Sequence, residues 1–504
     1  IVLLVEPGVN FFLVGLAYVV SGPAGMLWRW RTGRELVPAK PATYGEDEGA
    51  HGGAERGPAM AADLAATTSR AEMEAAYRFF NNENVSSDRI LAPHAERTLE
   101  RMAGQSLVLM VQDTTEIDLT RPSQPVRGAG PMDCESRRGA FFHPLMAFTP
   151  EGIPLGVAWH KLWTREKIET NASPEEKNKD RKHKPIEDKE SIRWLEGFRA
   201  ARKAASACPQ STCICIGDSE SDIYEVFAER RTEPAMTSEE VAVPSLHLLV
   251  RACQNRATET GSLLEDVRQS PCLFNNTLHI SARKAKTNAT KGRRQSSREA
   301  RTAEVQVRAA TVTLNPPWRY GQVLPPLSIN VVLVEETDRS AEAEAVQWLL
   351  LTTLPINTTE QVQQIVEHYC VRWQIEVYFR TLKSGCRVEE RQFETLPRIE
   401  NCLAVYTMVA WRVMYLCCLG RECPDLSCEA VLTPSEWKSV YRVKHRGKEL
   451  PSEPPRLNEM IRLIASLGGY VIRPKTHPGT QTLWTGLQQT HFLAMAWDAF
   501  GPES

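Results

Sequence analysis

Residues 107–113 read LVLMVQD and residues 212–218 read TCICIGD, and these two stretches decide the predicted fold. Each is a short apolar run typical of a buried strand, and each ends on an aspartate. Strands of one sheet can place Asp113 and Asp218 side by side although 105 residues separate them. Ligands gather at such carboxyl ends of strands in open α/β sheets. For either aspartate alone, a turn at the end of a strand is the simpler interpretation.

The sequence around these runs alternates strand and helix patterns. Residues 141–163 indicate two strands around a turn, residues 191–206 an amphipathic helix, and residues 247–253 a further strand. This order predicts a mixed α/β sheet. Residues 255–345 alternate between polar and apolar positions and predict an all-β insertion, whereas residues 400–504 are mostly helical in pattern.

Composition restricts the class of protein. The 504 residues include 60 Lys and Arg against 62 Asp and Glu, and 42% are hydrophobic, so the chain can bury a large core but is not basic overall. The 13 Cys show no zinc-ligand spacing and are interpreted as reduced thiols, which favours the cytosol. The apolar run at residues 11–20 is too short to span a bilayer, and positive charge follows it, so no membrane partner is expected.

One predicted helix carries several polar groups on a single face. Residues 359–384 are predicted to form one long helix. At about 100° per residue, Tyr369, Arg372, Glu376 and Lys383 fall within a sector of about 60°. That face presents a phenol, a guanidinium, a carboxylate and an ammonium group. Periodicity alone leaves open the alternative of an exposed face with a weak Arg372–Glu376 pair.

The order of the motifs resembles a known group of enzymes, the bacterial insertion-sequence transposases with the Tyr-Arg-Glu-Lys signature, and within it the Tn-five type. The motifs that carry the resemblance are Asp113-Thr-Thr, Gly217-Asp218-Ser-Glu-Ser-Asp222 and Tyr369-x2-Arg372-x3-Glu376-x6-Lys383. The resemblance begins at about Ala75 and includes QWLLLTTLP at 347–355 and LIASLGGY at 463–470. The four-residue signature is specific, whereas Asp-Thr-Thr alone is weak.

The resemblance implies a ribonuclease-H-like mixed-sheet core with an all-β insertion, followed by a helical C-terminal domain. Along the chain it gives a poorly ordered extension and linker at 1–70 and a helical remnant of a DNA-binding domain at 71–105. The catalytic core is expected at 106–385, with its insertion at about 255–345, and a dimerisation domain at 386–504.

The same resemblance implies metal-dependent phosphoryl transfer. Carboxylates are hard oxygen ligands suited to Mg²⁺ or Mn²⁺, and Asp113, Asp218 and Glu376 are expected to hold two such ions. Cleavage of transposon ends through a hairpin intermediate, and joining of the 3′-OH to target DNA, would follow. The expected partners are transposon-end DNA, target DNA and a second copy in a synaptic complex, in the bacterial cytoplasm at the nucleoid.

Other residues are implied to contact DNA. Tyr369, Arg372 and Lys383 match phosphate-contacting positions, Arg251 matches a DNA-contacting arginine, and Trp348 matches an aromatic that stacks on a flipped base. A core tryptophan is the alternative for Trp348. By contrast, the last acid of the Gly-Asp motif, Asp222, is expected to cap a helix rather than to bind metal.

A basic segment lies within the predicted insertion. Residues 283–301 carry eight Lys and Arg and one Glu, and a flexible loop of this charge can bind phosphates. The alternative is a solvated basic loop. The residues predicted to contact DNA are Arg283, Lys284, Lys286, Lys291, Arg293 and Arg294.

Two other functions stay open at this stage. Residues 1–60 show no counterpart of the family's basic DNA-binding domain, so a catalytically unproductive DNA-binding relic is one alternative. A haloacid-dehalogenase-like phosphatase is the other, because GDSESD at 217–222 resembles its metal motif. That enzyme class needs a second aspartate two residues after Asp113, and Thr115 stands there instead.

Overall fold

The computed structural model describes twelve parts of the chain. These are residues 70–121, 124–134, 136–166, 173, 184–229, 246–280, 286–287, 294–295, 299–321, 323–337, 345–474 and 476–502. The described chain forms two compact units. We call residues 98–120 and 129–377 the sheet unit, and residues 70–97, 121–128 and 378–502 the helical unit. The expectations for residues 1–69 lie outside the described residues.

The strands belong to the sheet unit and are mostly short, buried runs. In chain order they are β1 Leu107–Gln112, β2 Thr115–Asp118, β3 Gly130–Pro131, β4 Arg138–Phe148, β5 Pro154–Trp163, β6 Thr212–Gly217, β7 His247–Arg251, β8 Cys272–Ile280, β9 Lys286–Thr287, β10 Arg294–Gln295, β11 Arg301–Leu314, β12 Leu327–Glu336 and β13 Gln347–Thr352. Apart from the small β9–β10 pair, they form one sheet of 11 strands.

The helices flank the strands in sequence and dominate the C-terminal part. In chain order they are α1 Arg70–Phe80, α2 Ser87–Ala103, α3 Ile192–Ser206, α4 Tyr224–Ala228, α5 Leu263–Gln269, α6 Thr359–Val371, α7 Gln374–Arg380, α8 Leu396–Glu422, α9 Pro434–Lys444, α10 Leu457–Leu467 and α11 Thr480–Phe500. The mixed α/β class predicted from the sequence is therefore confirmed.

The large sheet is mixed, with its parallel strands at the centre. Its order is β2-β4-β1-β6-β7-β13-β12-β11-β8, and β3 and β5 also pair with β4. β6 is parallel to both β1 and β7, whereas β4 is antiparallel to β1. Both faces of β1 and β6 are buried, as their unbroken apolar sequences require. These central strands carry Asp113 and Asp218 at their carboxyl ends.

The segment 255–345 differs from the predicted all-β insertion in two ways. It contains a helix, α5, whose buried Leu263 and Val267 join the core of the sheet unit. Its long strands β8, β11 and β12 extend the central sheet through β13 instead of forming a separate layer. Strand periodicity predicted the strands, but it cannot show which edge a strand joins, because pairing depends on distant partners.

The predicted long helix at 359–384 is interrupted, so that prediction is wrong in its continuity. The helix α6 ends at Val371, α7 begins at Gln374, and a π-type turn follows at Thr381–Gly385. At the interruption the Arg372 N–H donates to Tyr369 O at 3.1 Å, three residues back instead of four. Such tightened turns inside helices often mark functional positions.

The helical unit is built around α8. Its buried residues include Val405, Met408, Val409, Val413 and Leu416, which recur at spacings of three and four as on one packed helix face. The helix α10 ends at Leu467, and Gly469 beyond it has φ 91°, the left-handed conformation in which glycine commonly ends a helix. Gly486 lets α11 pack closely, because a Cβ there would lie 2.0 Å from Ile464 O.

The helix α8 is long and apolar enough to cross a membrane by length and composition. Its apolar window has a hydropathy of 1.7, and 89% of that window is buried within the protein. Burial in the core of the helical unit therefore accounts for its hydropathy, and it is weak support for a membrane span.

Candidate active site

The register of two parallel strands brings Asp113 and Asp218 together. Leu107 pairs with Thr212, and the pairing continues in step to Val111 and Ile216. Asp113 directly follows β1 and Asp218 directly follows β6. The two aspartates have the same separation in sequence as the paired residues, so a continued ladder sets them side by side at the carboxyl edge. Neighbouring strands lie about 4.8 Å apart, and paired residues of parallel strands point to the same face. The sequence prediction that these strand ends meet is therefore confirmed at the level of the backbone.

The Asp113 carboxylate is buried and holds an arginine. It is 8% exposed, and its Oδ1 accepts from the Thr114 N–H at 2.7 Å. Arg372 Nη1 donates to Asp113 Oδ2 at 2.9 Å and lies 3.8 Å from Glu376 Oε1. Arg372 thus connects the first and third predicted carboxylates.

Negative charge is concentrated around this carboxylate. Burial, and then the charge of Asp218, raises the pKa of Asp113 to about 7, although the nearby Arg372 opposes the shift. Glu376 raises the pKa further. A carboxyl group that resists ionisation despite a bound arginine lies in a site that favours additional positive charge.

The three predicted carboxylates have the right chemistry to bind a divalent cation, but they are not arranged as a complete set of metal ligands. Asp113, Asp218 and Glu376 offer the hard oxygens that Mg²⁺ and Mn²⁺ prefer. Within the described parts of the chain, however, no group of three His, Cys, Asp or Glu side chains is placed so that it could hold a metal ion. The Arg372 guanidinium supplies the positive charge between Asp113 and Glu376 in this arrangement.

An aromatic pair adjoins the carboxylates. Tyr369 is 6% exposed, and its ring meets that of Trp348 edge to face, with ring centroids 5.5 Å apart. Burial raises the pKa of Tyr369, and the positive charges of Arg372 and Arg251 counteract that rise. Arg251 is exposed on β7 and pairs in register with Leu350 of β13. The sheet unit thus gathers Arg251, Trp348, Tyr369 and Arg372 around one region.

The remaining predicted DNA contacts are placed differently. Lys383 lies in the helical unit, on the π-type turn, where its Nζ is 3.2 Å from Glu389 Oε1. Of the basic segment, the side chains of all six predicted residues lie outside the described structure. Lys286 and Arg294 are described by their backbone alone, as members of the antiparallel pair β9–β10. The assignment of this segment to DNA stays a prediction.

Asp222 does not cap a helix, so that expectation is wrong. Its Oδ2 accepts from the backbone N–H groups of Cys253 and Gln254, and its Oδ1 accepts from Arg256 Nη2 at 2.6 Å. The side chain is 0% exposed. The Asp222 carboxylate instead holds the turn after β7 in place. That turn lies about thirty residues away in sequence, so local capping rules cannot reveal the contact.

Breaking this buried pair should destabilise the sheet unit. We expect Asp222→Ala to lower the free energy of unfolding by about 3 kcal/mol or more, because Arg256 would remain buried without its acid. Urea unfolding measures the change. Asp133→Ala is the control, since Asp133 is 36% exposed where it meets Arg137, and about 1 kcal/mol or less is expected. Equal losses in both variants would contradict the structural role of Asp222.

Sequence reasoning missed Arg193. The residue lies on α3, and its Nε donates to Thr114 Oγ1 at 2.8 Å. Its Nη2 donates to Glu220 Oε2, also at 2.8 Å. An arginine on an amphipathic helix is an ordinary surface feature in sequence, so no local signal distinguishes this one. Only the packing of α3 against the sheet reveals it.

The chain matches two families of known protein domains. Residues 239–411 match the transposase DDE domain, and residues 408–498 match the transposase Tn5 dimerisation domain. These matches support a DDE transposase of the Tn5 type. The DDE match contains Glu376 and begins after Asp218, so the role of the two aspartates stays a prediction. DDE transposase domains depend in general on divalent metal ions.

A solved structure is also similar to this chain. It is the cryo-EM structure of a piggyBac transposase synaptic complex with hairpin DNA, with 10% identity and a TM-score of 0.31. The similarity covers 83% of this chain and 62% of that chain, so this chain spans less than two thirds of that protein's length. At this TM-score the likeness bears on neither the fold nor the function.

Proposed function

We propose that this chain is a cut-and-paste DNA transposase of the bacterial insertion-sequence group, with a ribonuclease-H-like core. Asp113, Asp218 and Glu376 would hold two Mg²⁺ or Mn²⁺ ions. The observation that carries the proposal is the register of β1 and β6, which sets Asp113 and Asp218 side by side. The contact of Arg372 with both Asp113 and Glu376 adds the third carboxylate.

The bound cations would activate the attacking oxygen and stabilise the leaving one. The chain's own residues position the substrate. Arg372 and Tyr369 flank the carboxylates and can donate hydrogen bonds to phosphate oxygens, and a guanidinium suits the planar, paired recognition of phosphate. When Arg372 turns to a phosphate, it releases Asp113 and Glu376 for other cations. Lys383 and Arg251 would extend this phosphate contact along the DNA.

Trp348 would support a hairpin intermediate. A tight DNA hairpin is strained, and stacking an extruded base on an aromatic ring offsets part of the cost of unpairing it. The Trp348 ring is half-buried and braced at its edge by Tyr369. A braced, partly accessible ring beside the carboxylates suits this role.

The proposed assembly is a homodimer on DNA. The match to a dimerisation domain supports a dimer. Transposon-end DNA and target DNA are its proposed partners. All 13 cysteines are free thiols, which accords with the proposed setting in the bacterial cytoplasm at the nucleoid.

A nicking assay tests the proposed function. The substrate is labelled duplex carrying the inverted repeats found in the DNA that flanks the gene, incubated with Mg²⁺ or Mn²⁺. The proposal expects a 3′-OH nick at the end of the repeat, followed by a hairpin product. Specific binding without any cleavage would instead favour the second candidate, a DNA-binding relic that no longer cuts DNA.

The phosphatase alternative meets a structural objection. It requires Asp222 as a metal ligand, yet both Asp222 oxygens are bonded to the turn at Cys253–Arg256 and its side chain is 0% exposed. We therefore do not retain it as a candidate.

Metal binding should depend on pH near neutrality. Because the pKa of Asp113 is about 7, its carboxyl carries a proton below that pH and must lose it to bind a cation. We expect Mn²⁺ affinity to fall up to about tenfold per pH unit below pH 7 and to level off above it. Isothermal titration at pH 6, 7 and 8 measures this. Asp113→Asn should flatten the dependence of any remaining affinity, and a constant wild-type affinity from pH 6 to 8 would contradict the prediction.

A further inference from the structure

One partly buried guanidinium bonds to the segments that follow both strands and carry the aspartates. Thr114 directly follows Asp113, and Glu220 lies two residues after Asp218. Arg193 Nε donates to Thr114 Oγ1 and its Nη2 donates to Glu220 Oε2, each at 2.8 Å. The Arg193 side chain is 11% exposed. A single residue of α3 therefore connects the segment after β1 with the segment after β6.

The guanidinium is itself held from other sides. Its Nη1 donates to Glu190 O at 3.0 Å. It lies over the ring of Trp163 at 5.4 Å and over that of Trp194 at 5.5 Å. The Trp163 ring is in turn fixed, because its Nε1 donates to Glu190 Oε1 at 3.0 Å. With its position set by these groups, Arg193 can act as a reference point for the two strand ends.

Thr114 continues the connection into the sheet. Its Oγ1 lies 2.8 Å from His143 Nδ1, and His143 Nε2 lies 3.1 Å from Gln112 Oε1. Burial lowers the pKa of His143 well below its usual range, so the ring is neutral. Because Gln112 Oε1 can only accept, Nε2 carries the proton of the neutral ring and donates to it, and Nδ1 then accepts from the Thr114 hydroxyl. Each hydrogen bond in this chain therefore has a single donor and a single acceptor.

The helix α3 must approach the sheet closely for this network to form. A Cβ at Gly197 would lie 2.1 Å from Gln112 Oε1 and 3.4 Å from His143 Nε2. Gln112 also donates from Nε2 to Cys215 Sγ at 3.4 Å, a second connection between β1 and β6. The polar network therefore joins α3, β1, β4 and β6 directly behind the predicted metal ligands.

We infer that Arg193 is a positioning residue that holds Asp113 and Asp218 in the mutual geometry needed for cation binding, acting through Thr114 and Glu220. This inference rests on the proposed function. Partners behind metal ligands typically change metal affinity by about 10- to 100-fold when they are removed. Lysine cannot replace Arg193, because its single nitrogen cannot bond to both strand ends from one fixed plane.

The test compares two partly buried arginines of the same helix in the full chain. Arg202 is the matched control, since its side chain is 13% exposed and its Nη1 lies 3.2 Å from Glu229 Oε1. Mn²⁺ binding is titrated by electron paramagnetic resonance. We expect Arg193→Gln to weaken Mn²⁺ binding by about tenfold or more, and Arg202→Gln to leave it within about twofold.

Hydrogen–deuterium exchange of the metal-free protein gives an independent readout. Arg193→Gln should speed exchange at 113–115 and 218–221 together, whereas Arg202→Gln should not. Thr114→Val should reproduce part of the Mn²⁺ defect and Thr114→Ser should restore binding, because serine keeps the hydroxyl. In the double variant with Arg193→Gln, Thr114→Val should weaken Mn²⁺ binding by a smaller factor than it does alone, because both residues act through the same contact.

Three results would overturn the inference. Unchanged Mn²⁺ affinity and exchange in Arg193→Gln, with Mn²⁺ binding lost in Asp113→Asn, would remove the positioning role and leave the proposed function intact. If the Arg193 and Arg202 variants lost Mn²⁺ affinity equally and showed the same fall in thermal midpoint, the role of Arg193 would be structural only. A wild-type chain that binds no Mn²⁺ would overturn this inference together with the proposed metal site.

Discussion

Replacing Asp113, Asp218 or Glu376 by the matching amide should lower strand cleavage by about a thousandfold or more while leaving DNA binding within about threefold. Each amide keeps the size of the side chain but removes the negative charge that would hold a cation. Stabilisation by metal ions contributes several kcal/mol to such a transition state, and each 1.4 kcal/mol is a factor of ten. Binding should persist, because removing an acid does not weaken attraction to a polyanion.

Cleavage and binding are measured separately, by single-turnover nicking and by gel shift on the same labelled end. Asp118→Asn is the control: Asp118 ends strand β2, but it is 35% exposed and bonded to Arg137, the residue just before β4. Its amide should cleave within about twofold of the wild type. Near-normal cleavage by the Asp218 variant would refute the assignment that strand register makes.

The two strands that precede Asp113 and Asp218 could be predicted because their information is local. The apolar run before Asp113 and the run before Asp218 are each buried on both faces, so composition alone reports them. The equal offset of the two aspartates then follows from a regular parallel ladder. Similarly, the buried set on α8 and the glycine stop after α10 follow helix periodicity and capping chemistry.

The rest depended on partners that are distant in sequence. Asp222 has the spacing of a helix cap, but Arg256 and the N–H groups after β7 bind it instead. The interruption at Arg372 is absent from the helix pattern, which assumes a constant 100° per residue. Arg193 has no sequence signature, since its role requires Thr114 and Glu220 to meet at one guanidinium.

The end of the helical unit presents an apolar face to solvent. On α11, Phe492 is 39% exposed, Met495 44% and Phe500 89%. At about 100° per residue these three positions and the intervening alanines, Ala496 and Ala499, fall within a sector of about 140°. Exposed apolar faces of this kind commonly mark contacts between proteins. The dimerisation-domain match covers residues 408–498 and so includes most of this face.

Point substitution on this face is a cleaner test of assembly than truncation near Arg398. Truncation there would remove α8, whose side chains are the core of the helical unit. The side chains of Phe492 and Met495 are exposed, so changing them leaves that core in place. A loss of assembly in such variants can then be separated from a loss of folding.

Placing two charges on this face should separate the protomers. We expect Phe492→Asp with Met495→Asp to raise the dimer dissociation constant by roughly a thousandfold, because central apolar contacts can each contribute about 2 kcal/mol and buried like charges add repulsion. Analytical ultracentrifugation measures dissociation, and a gel shift with two labelled ends of different length measures their pairing. Val443→Asp on α9 is the control, since Val443 is 50% exposed and lies on a different helix. The double variant should bind single ends but fail to pair them, and a variant that still pairs two ends with an unchanged dissociation constant would remove α11 from the interface.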